Sequence, residues 1–188
     1  MEHCVEYTVE AGRPDTIDRE KLLALREAGI GRISINPQTF SDEVLANIGR
    51  KHSAQDILNC YADARRAGHE DINMDLIAGL PGDTVEGFEH SLRQAIALQP
   101  ENITVHTLAL KKGSRILTEG LRIPGAETVA EMLDYASPTL RTAGYRPYYL
   151  YRQKYMSGSF ENIGWCRPGT AGLYNIYMMA VSYTHLTL

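Results

Sequence analysis

The feature that most limits what this chain can become is a repeated alternation between short segments of two-residue hydrophobic period and longer segments of helical period. HCVEYTVE (3–10) sets Val5, Tyr7 and Val9 against Glu6, Thr8 and Glu10, which predicts a strand. DREKLLALREAG (18–29) carries Leu22, Leu25 and Ala28 at helical spacing, with Asp18 as the N-cap and Gly29 as the stop. The unit then recurs. RISIN (32–36) reads as a strand, and Ser53 with Asp56 forms a capping box for a helix bearing Ile57, Tyr61 and Ala64 and ending at Gly68. DINMDLI (71–77) is a third strand. Thr84 caps a helix whose stripe is Phe88, Leu92, Ala95 and Ile96, and Pro100 forbids its continuation. NITVHTLAL (102–110) is a fourth strand. A helix over 127–143 is interrupted at Pro138, where a kink or boundary is expected, and YRPYYLY (145–151) is a fifth strand.

Strands separated by helices need crossover connections, so the expected sheet is parallel, with an α/β architecture. The character of the second face separates an open doubly wound sheet from a barrel. Doubly wound strands are apolar on both faces. Here one face carries Glu6, Thr8, Glu10, Ser34, Asn36, Asn73, Asp75, Thr104 and His106. A polar inner wall behind an apolar outer one predicts a (β/α) barrel with a wide cavity rather than one filled by branched side chains. Four or five units do not close a barrel, so the expected fold is a partial one; a sheet with one solvated face is the simpler alternative.

Composition narrows the function. At 188 residues, 44% apolar and 22% charged, the chain can bury a core, and a net charge of −4 gives no footprint for nucleic acid. No apolar run approaches the roughly 20 residues that span a bilayer, and the N-terminus lacks a secretory pattern, so the expectation is a cytoplasmic protein without a membrane span. Cys4, Cys60 and Cys166 have no metal spacing and are read as small buried hydrophobes, and no two histidines are spaced as ligands, so no metal site is expected. There is no Gly-x-Ser-x-Gly elbow, no HExxH, and GLPGDT lacks the Gly-Lys-Ser/Thr ending of a phosphate-binding loop.

Barrel chemistry sits at the C-terminal ends of strands and in the loops beyond them. Those positions here are Glu10, 36–38, 75–82 and 108–113. Glu10 and Asp75 could accept hydrogen bonds from ribose hydroxyls or an ammonium, and Arg50 could clamp a carboxylate; equally, each could be solvated or paired at the barrel mouth.

Five strings in order, TVEAGRPDTID, EAGIGRISINPQTF, LANIGRKHS, INMDLIAGLPGDT and NITVHTLALKKGS, resemble the middle of the radical S-adenosylmethionine enzymes that act on coproporphyrinogen, over about Val5 to Met179. YLYRQKYMSGSFENIGWC resembles the HemZ branch, the coproporphyrinogen dehydrogenase type, rather than the haem-chaperone branch. The resemblance implies that Glu10, Gln38, Arg50, Asp75 and Ala109 occupy S-adenosylmethionine-binding positions. Asn36-Pro37-Gln38-Thr39-Phe40 stands where relatives have Gly-Val-Gln-Ser-Phe, so Pro37 stiffens that approach.

The family's C-x-x-x-C-x-x-C loop, which holds a [4Fe–4S] cluster, is not in this sequence. The resemblance therefore implies an internal fragment, inactive alone, of a longer enzyme that turns coproporphyrinogen III propionates into vinyl groups through a 5′-deoxyadenosyl radical, with an electron donor protein as partner. A haem-binding chaperone of the same superfamily and a cluster-free barrel lyase or isomerase using Glu10 and Asp75 are the alternatives. Arg152, Gln153 and Lys154 are candidate partners for substrate carboxylates. By this reading 1–144 is part of the barrel, 145–180 holds a last strand and the start of a C-terminal region, and 181–188 (VSYTHLTL) is a non-native tail.

Overall fold

A computed structural model describes residues 4–110, 115–152 and 160–184, excluding the side chains of 115 and 179–184. Six strands form one sheet: β1 (Thr8–Gly12), β2 (Arg32–Gln38), β3 (Asp71–Ala78), β4 (Asn102–Thr107), β5 (Arg146–Tyr151) and β6 (Asn162–Cys166), in the spatial order β1-β2-β3-β4-β6-β5. The first four are parallel neighbours, joined by α1 (Arg19–Glu27), α2 (Asp42–Asn47) with α3 (Ala54–Arg66), and α4 (Val85–Leu98). After β4 come α5 (Arg115–Thr118) and the long α6 (Ala126–Thr142), and α7 (Leu173–Thr184) follows β6.

The caps lie where the sequence puts them. The Asp18 carboxylate accepts from Lys21 N at 2.7 Å, Ser53 and Asp56 make the reciprocal box, and the Thr84 hydroxyl accepts from Gly87 N at 3.0 Å. Strand periodicity then sorts the faces. Ile33, Ile35, Ile72, Met74, Leu76, Ile103 and Val105 are at most 2% exposed and join Leu22, Ile57, Phe88, Leu92, Met132 and Leu140 from the helices in one core. The opposite face carries the hydrophilic side chains. The sheet stays open, because β1 and β5 are its edges and do not pair.

Several details depart from expectation. The segment 145–151 is a strand but not a parallel partner of β4: β6 slots between them and pairs antiparallel with both. Sequence reading missed β6 because five residues with a central glycine carry little periodic signal, and missed α2 because six residues make fewer than two turns. β1 starts at Thr8, leaving Val5 87% and Tyr7 44% exposed ahead of the strand, although Arg32 N still donates to Tyr7 O at 3.4 Å. α6 runs through Pro138 without ending. Cys60 and Cys166 are buried, whereas Cys4 is exposed. Among the described residues, no helix is long and apolar enough to cross a membrane.

Near the N-terminal ends of the parallel strands the Arg32 side chain donates to Thr170 O at 3.3 Å and Tyr148 Oη at 3.4 Å and lies 3.7 Å from Asp71, lining a cavity of about 580 Å³.

Candidate functional site

A hydrogen-bond chain crosses the inner wall from one side of the sheet to the other. Strand register makes it possible: Glu10 is level with Ser34, Ser34 with Asn73, Asp75 with Thr104, and Thr104 with Gly164, which is level with Tyr149. Asn36 Nδ2 donates to Glu10 Oε2 at 3.0 Å, and Ser34 Oγ donates to Asn36 Oδ1 at 3.0 Å. Asn73 Nδ2 donates both to Ser34 Oγ and to Asp75 Oδ1, each at 2.8 Å. Thr104 Oγ1 donates to Asn73 Oδ1 at 3.1 Å, which leaves its lone pair for the Tyr149 hydroxyl at 3.2 Å.

Read by donors, the chain runs one way. From Tyr149 through Thr104, Asn73, Ser34 and Asn36, the donors lead to the Glu10 carboxylate, with a branch to Asp75. Ser34, Asn73 and Thr104 are buried, and this pairing satisfies hydrogen-bonding groups that would otherwise cost about 1–3 kcal/mol each. The two carboxylates are thus the acceptor ends of a preorganised wall.

Their surroundings differ. Glu10 is exposed toward the lumen. The Asp75 side chain is 17% exposed; burial raises its pKa, but the neighbouring His106, Asn73 and Thr104 side chains outweigh burial and hold the carboxyl below its ordinary range. His106 Nε2 lies 3.6 Å from Asp75 Oδ1, and Tyr151 Oη lies 3.3 Å from His106 Nδ1.

A second cluster forms where β1 and β2 end. Arg13 Nε and His52 Nδ1 sit 3.3 and 3.4 Å from Asp15 Oδ1, and His52 Nε2 is 3.4 Å from Pro37 O. Arg50 is half-buried beside them, its pKa lowered by burial and by Arg13 and partly restored by Asp15. Gln38 ends β2 with φ 72, a left-handed conformation rare for a residue with a Cβ, just past the irregular pairing that Pro37 introduces. Its side chain has no hydrogen-bond partner among the described residues. Ala109 lies two residues past β4, half-buried in an isolated bridge.

Glu10 and Asp75 are thus joined by a defined network on one wall, as the alternation implied, and Arg50 sits with the cluster beyond β1. Tyr149 and Tyr151 were missed as site residues, although their two-residue spacing in YRPYYLY was a usable signal. Arg13, Asp15 and His52 were missed because nothing in the sequence ties His52 to the turn that holds Arg13 and Asp15. Glu6, expected on the inner wall, instead accepts from Leu173 N at 2.7 Å and Tyr174 N at 3.2 Å, capping α7. Arg152 pairs with Glu161 at 3.4 Å, and residues 153 and 154 lie outside the described residues.

A thiolate-held cluster does not fit this chain. Cys60 lies on α3, where burial pushes its thiol up to about 12; Cys166 is on β6, and Cys4 precedes β1. Among the described residues no three metal-ligating side chains converge.

The Radical SAM superfamily model matches residues 4–95. The chain is 47% identical over 176 residues to the oxygen-independent coproporphyrinogen-III oxidase-like protein HemZ of Bacillus subtilis, covering 93% of this chain and 35% of that protein. It is 37% identical over 147 residues to the haem chaperone HemW of the same organism, covering 76% and 38%. The chain therefore spans little more than a third of these relatives. Among solved structures, the coproporphyrinogen III oxidase HemN of Escherichia coli superposes with a TM-score of 0.73 at 24% identity, covering 87% of this chain and 36% of that one. The open α/β sheet is the partial barrel of that fold.

Proposed function

Given that this chain belongs to the radical SAM superfamily, we propose that it is the S-adenosylmethionine-binding part of a longer coproporphyrinogen III dehydrogenase, which converts propionates to vinyl groups by oxidative decarboxylation. The observation that carries this reading is the donor chain ending on Glu10 and Asp75. Two carboxylate acceptors on one wall, a half-buried guanidinium at Arg50 and, at Gln38, an amide without a hydrogen-bond partner among the described residues suit a ligand with an ammonium, ribose hydroxyls and a carboxylate.

In this reading Glu10 and Asp75 accept from the ligand's hydroxyls and ammonium, and Arg50 takes its carboxylate. Gln38 and the backbone at Ala109 complete the cradle. Bound S-adenosylmethionine supplies the 5′-deoxyadenosyl group that removes a hydrogen atom from substrate. Asn36, Asn73 and Thr104 contribute earlier, by fixing acceptor geometry before the ligand arrives, which lowers the cost of ordering the site. The chain's own residues offer no thiolate triad, so in this reading the iron–sulfur cluster is held by residues outside this chain and reduced by an electron donor protein.

Anaerobic reconstitution of the full-length gene product with iron and sulfide, then assay with coproporphyrinogen III, tests the proposal. It expects 5′-deoxyadenosine together with vinyl products, both lost on Glu10→Ala or Asp75→Ala. Neither product from the wild type overturns it. The 37% identity to a haem chaperone supports a second reading, in which the full-length protein binds haem and leaves coproporphyrinogen III unchanged.

A further inference from the structure

We propose that His106 and Tyr151 are positioning residues for Asp75: the Tyr151 hydroxyl selects the imidazole tautomer that turns an Nε2–H toward the Asp75 carboxylate. This rests on the reading that Asp75 receives S-adenosylmethionine, and assigns work to two residues outside that cradle.

The geometry is a row of three side chains from three strands. Asp75 on β3, His106 on β4 and Tyr151 on β5 all face the inner wall, with contacts of 3.6 Å from Asp75 Oδ1 to His106 Nε2 and 3.3 Å from His106 Nδ1 to Tyr151 Oη. Tyr151 is held rigidly for this task. Its ring stacks on Tyr149 with centroids 6.2 Å apart and planes within 12°, and meets the imidazole edge-on at 74°. Tyr149 is anchored in turn by Thr104 and by the bare backbone of Gly164 beneath its ring.

The direction of the row follows from proton inventory. A carboxylate only accepts, so the nitrogen facing Asp75 must carry hydrogen. In neutral imidazole the other nitrogen is then an acceptor, and it requires a donor. Tyr151 Oη, 3.3 Å from Nδ1, is placed to be that donor, and burial, with the nearby Asp75 charge, raises its pKa so that the hydroxyl keeps its proton. Without it, the Nδ1–H tautomer would point a lone pair at Asp75 and repel it. At 3.6 Å the Asp75 contact is longer than a formed hydrogen bond, as catalytic contacts often are before a ligand closes them. Asn73 Nδ2 and His106 Nε2 both face Asp75 Oδ1, so orienting the imidazole orients the carboxylate and the oxygen it presents to the lumen.

The test uses the full-length gene product with nitrogen-15 histidine. Two-bond proton–nitrogen correlations report the His106 tautomer directly, and calorimetric titration with S-adenosylmethionine reports affinity. The Nε2–H form is expected in the wild type, with a shift toward a tautomer mixture and about fivefold weaker binding in Tyr151→Phe, the loss of one neutral hydrogen bond. Substitution of the histidine separates positioning from packing. The amide nitrogen of His106→Gln reaches the Nε2 position and should keep binding near wild type, whereas that of His106→Asn falls at Nδ1 and should weaken it about tenfold or more. An Nδ1–H tautomer in the wild type, or equal affinity for the Gln and Asn variants, overturns the inference. A folded wild type that binds no S-adenosylmethionine overturns the underlying reading instead.

Discussion

Asp83 shows how one side chain can write a pH dependence into the fold. It follows the GLPG turn, 7% exposed, with Oδ1 accepting Thr84 N at 3.0 Å and Oδ2 buried without a hydrogen-bond partner among the described residues. Burial pushes its pKa from the ordinary 3.8 up to about 6. Because the folded value is the higher one, the contribution is full below pH 4 and is lost as pH rises through 6, about 3 kcal/mol in all. Relative to wild type, Asp83→Asn should therefore gain about 2–3 kcal/mol between pH 4.5 and 8 in denaturant melts; a constant difference would contradict it. Asp75 has the opposite sign, its lowered pKa keeping it ionised across the neutral range. Asp75→Asn should leave the fold intact and weaken S-adenosylmethionine binding at least tenfold in a titration. At Gly164 any Cβ would overlap the Tyr149 ring, so Gly164→Ala should cost about 1–3 kcal/mol in a thermal melt and release Tyr149 from Thr104.

Among the elements, α7 depends on a residue far away in sequence. Glu6 accepts from the Leu173 and Tyr174 amides, a cap that joins the start of the described chain to its last helix and places a negative charge at the positive end of the helix dipole. Glu6→Ala should cost about 0.5–2 kcal/mol and speed amide hydrogen exchange in α7 while leaving α1 and α3 unchanged; equal rates in α7 would refute the cap. Sequence patterns could not reveal this, because alternation at 3–10 assigns Glu6 to the inner wall just as it does Glu10. Local caps were legible because donor and acceptor lie three residues apart. β6 was not, since Ile163 and Trp165 declare a strand only when β4 and β5 flank them.

For the molecule as a whole, the sheet is open at β1 and β5 and the three cysteines are scattered rather than gathered. Anaerobic iron and sulfide should give the 188-residue chain no charge-transfer absorption of a thiolate-bound cluster, and should give it to the full-length product. The divisions at 144 and 180 remain proposals of the same kind, to be tested by limited proteolysis. What the sequence determined alone was periodic: four parallel strand–helix units, their caps, and a polar wall opposite an apolar one, because amphipathic period depends only on residues close along the chain. Tertiary structure decided the register that makes separate polar residues into one donor chain, the insertion of β6, and the convergence of Asp75, His106 and Tyr151. The donor chain and the Asp75 row depend on cross-strand contacts between residues 26 to 45 positions apart, and a hydrogen bond is short and directional enough that no local pattern encodes its partner.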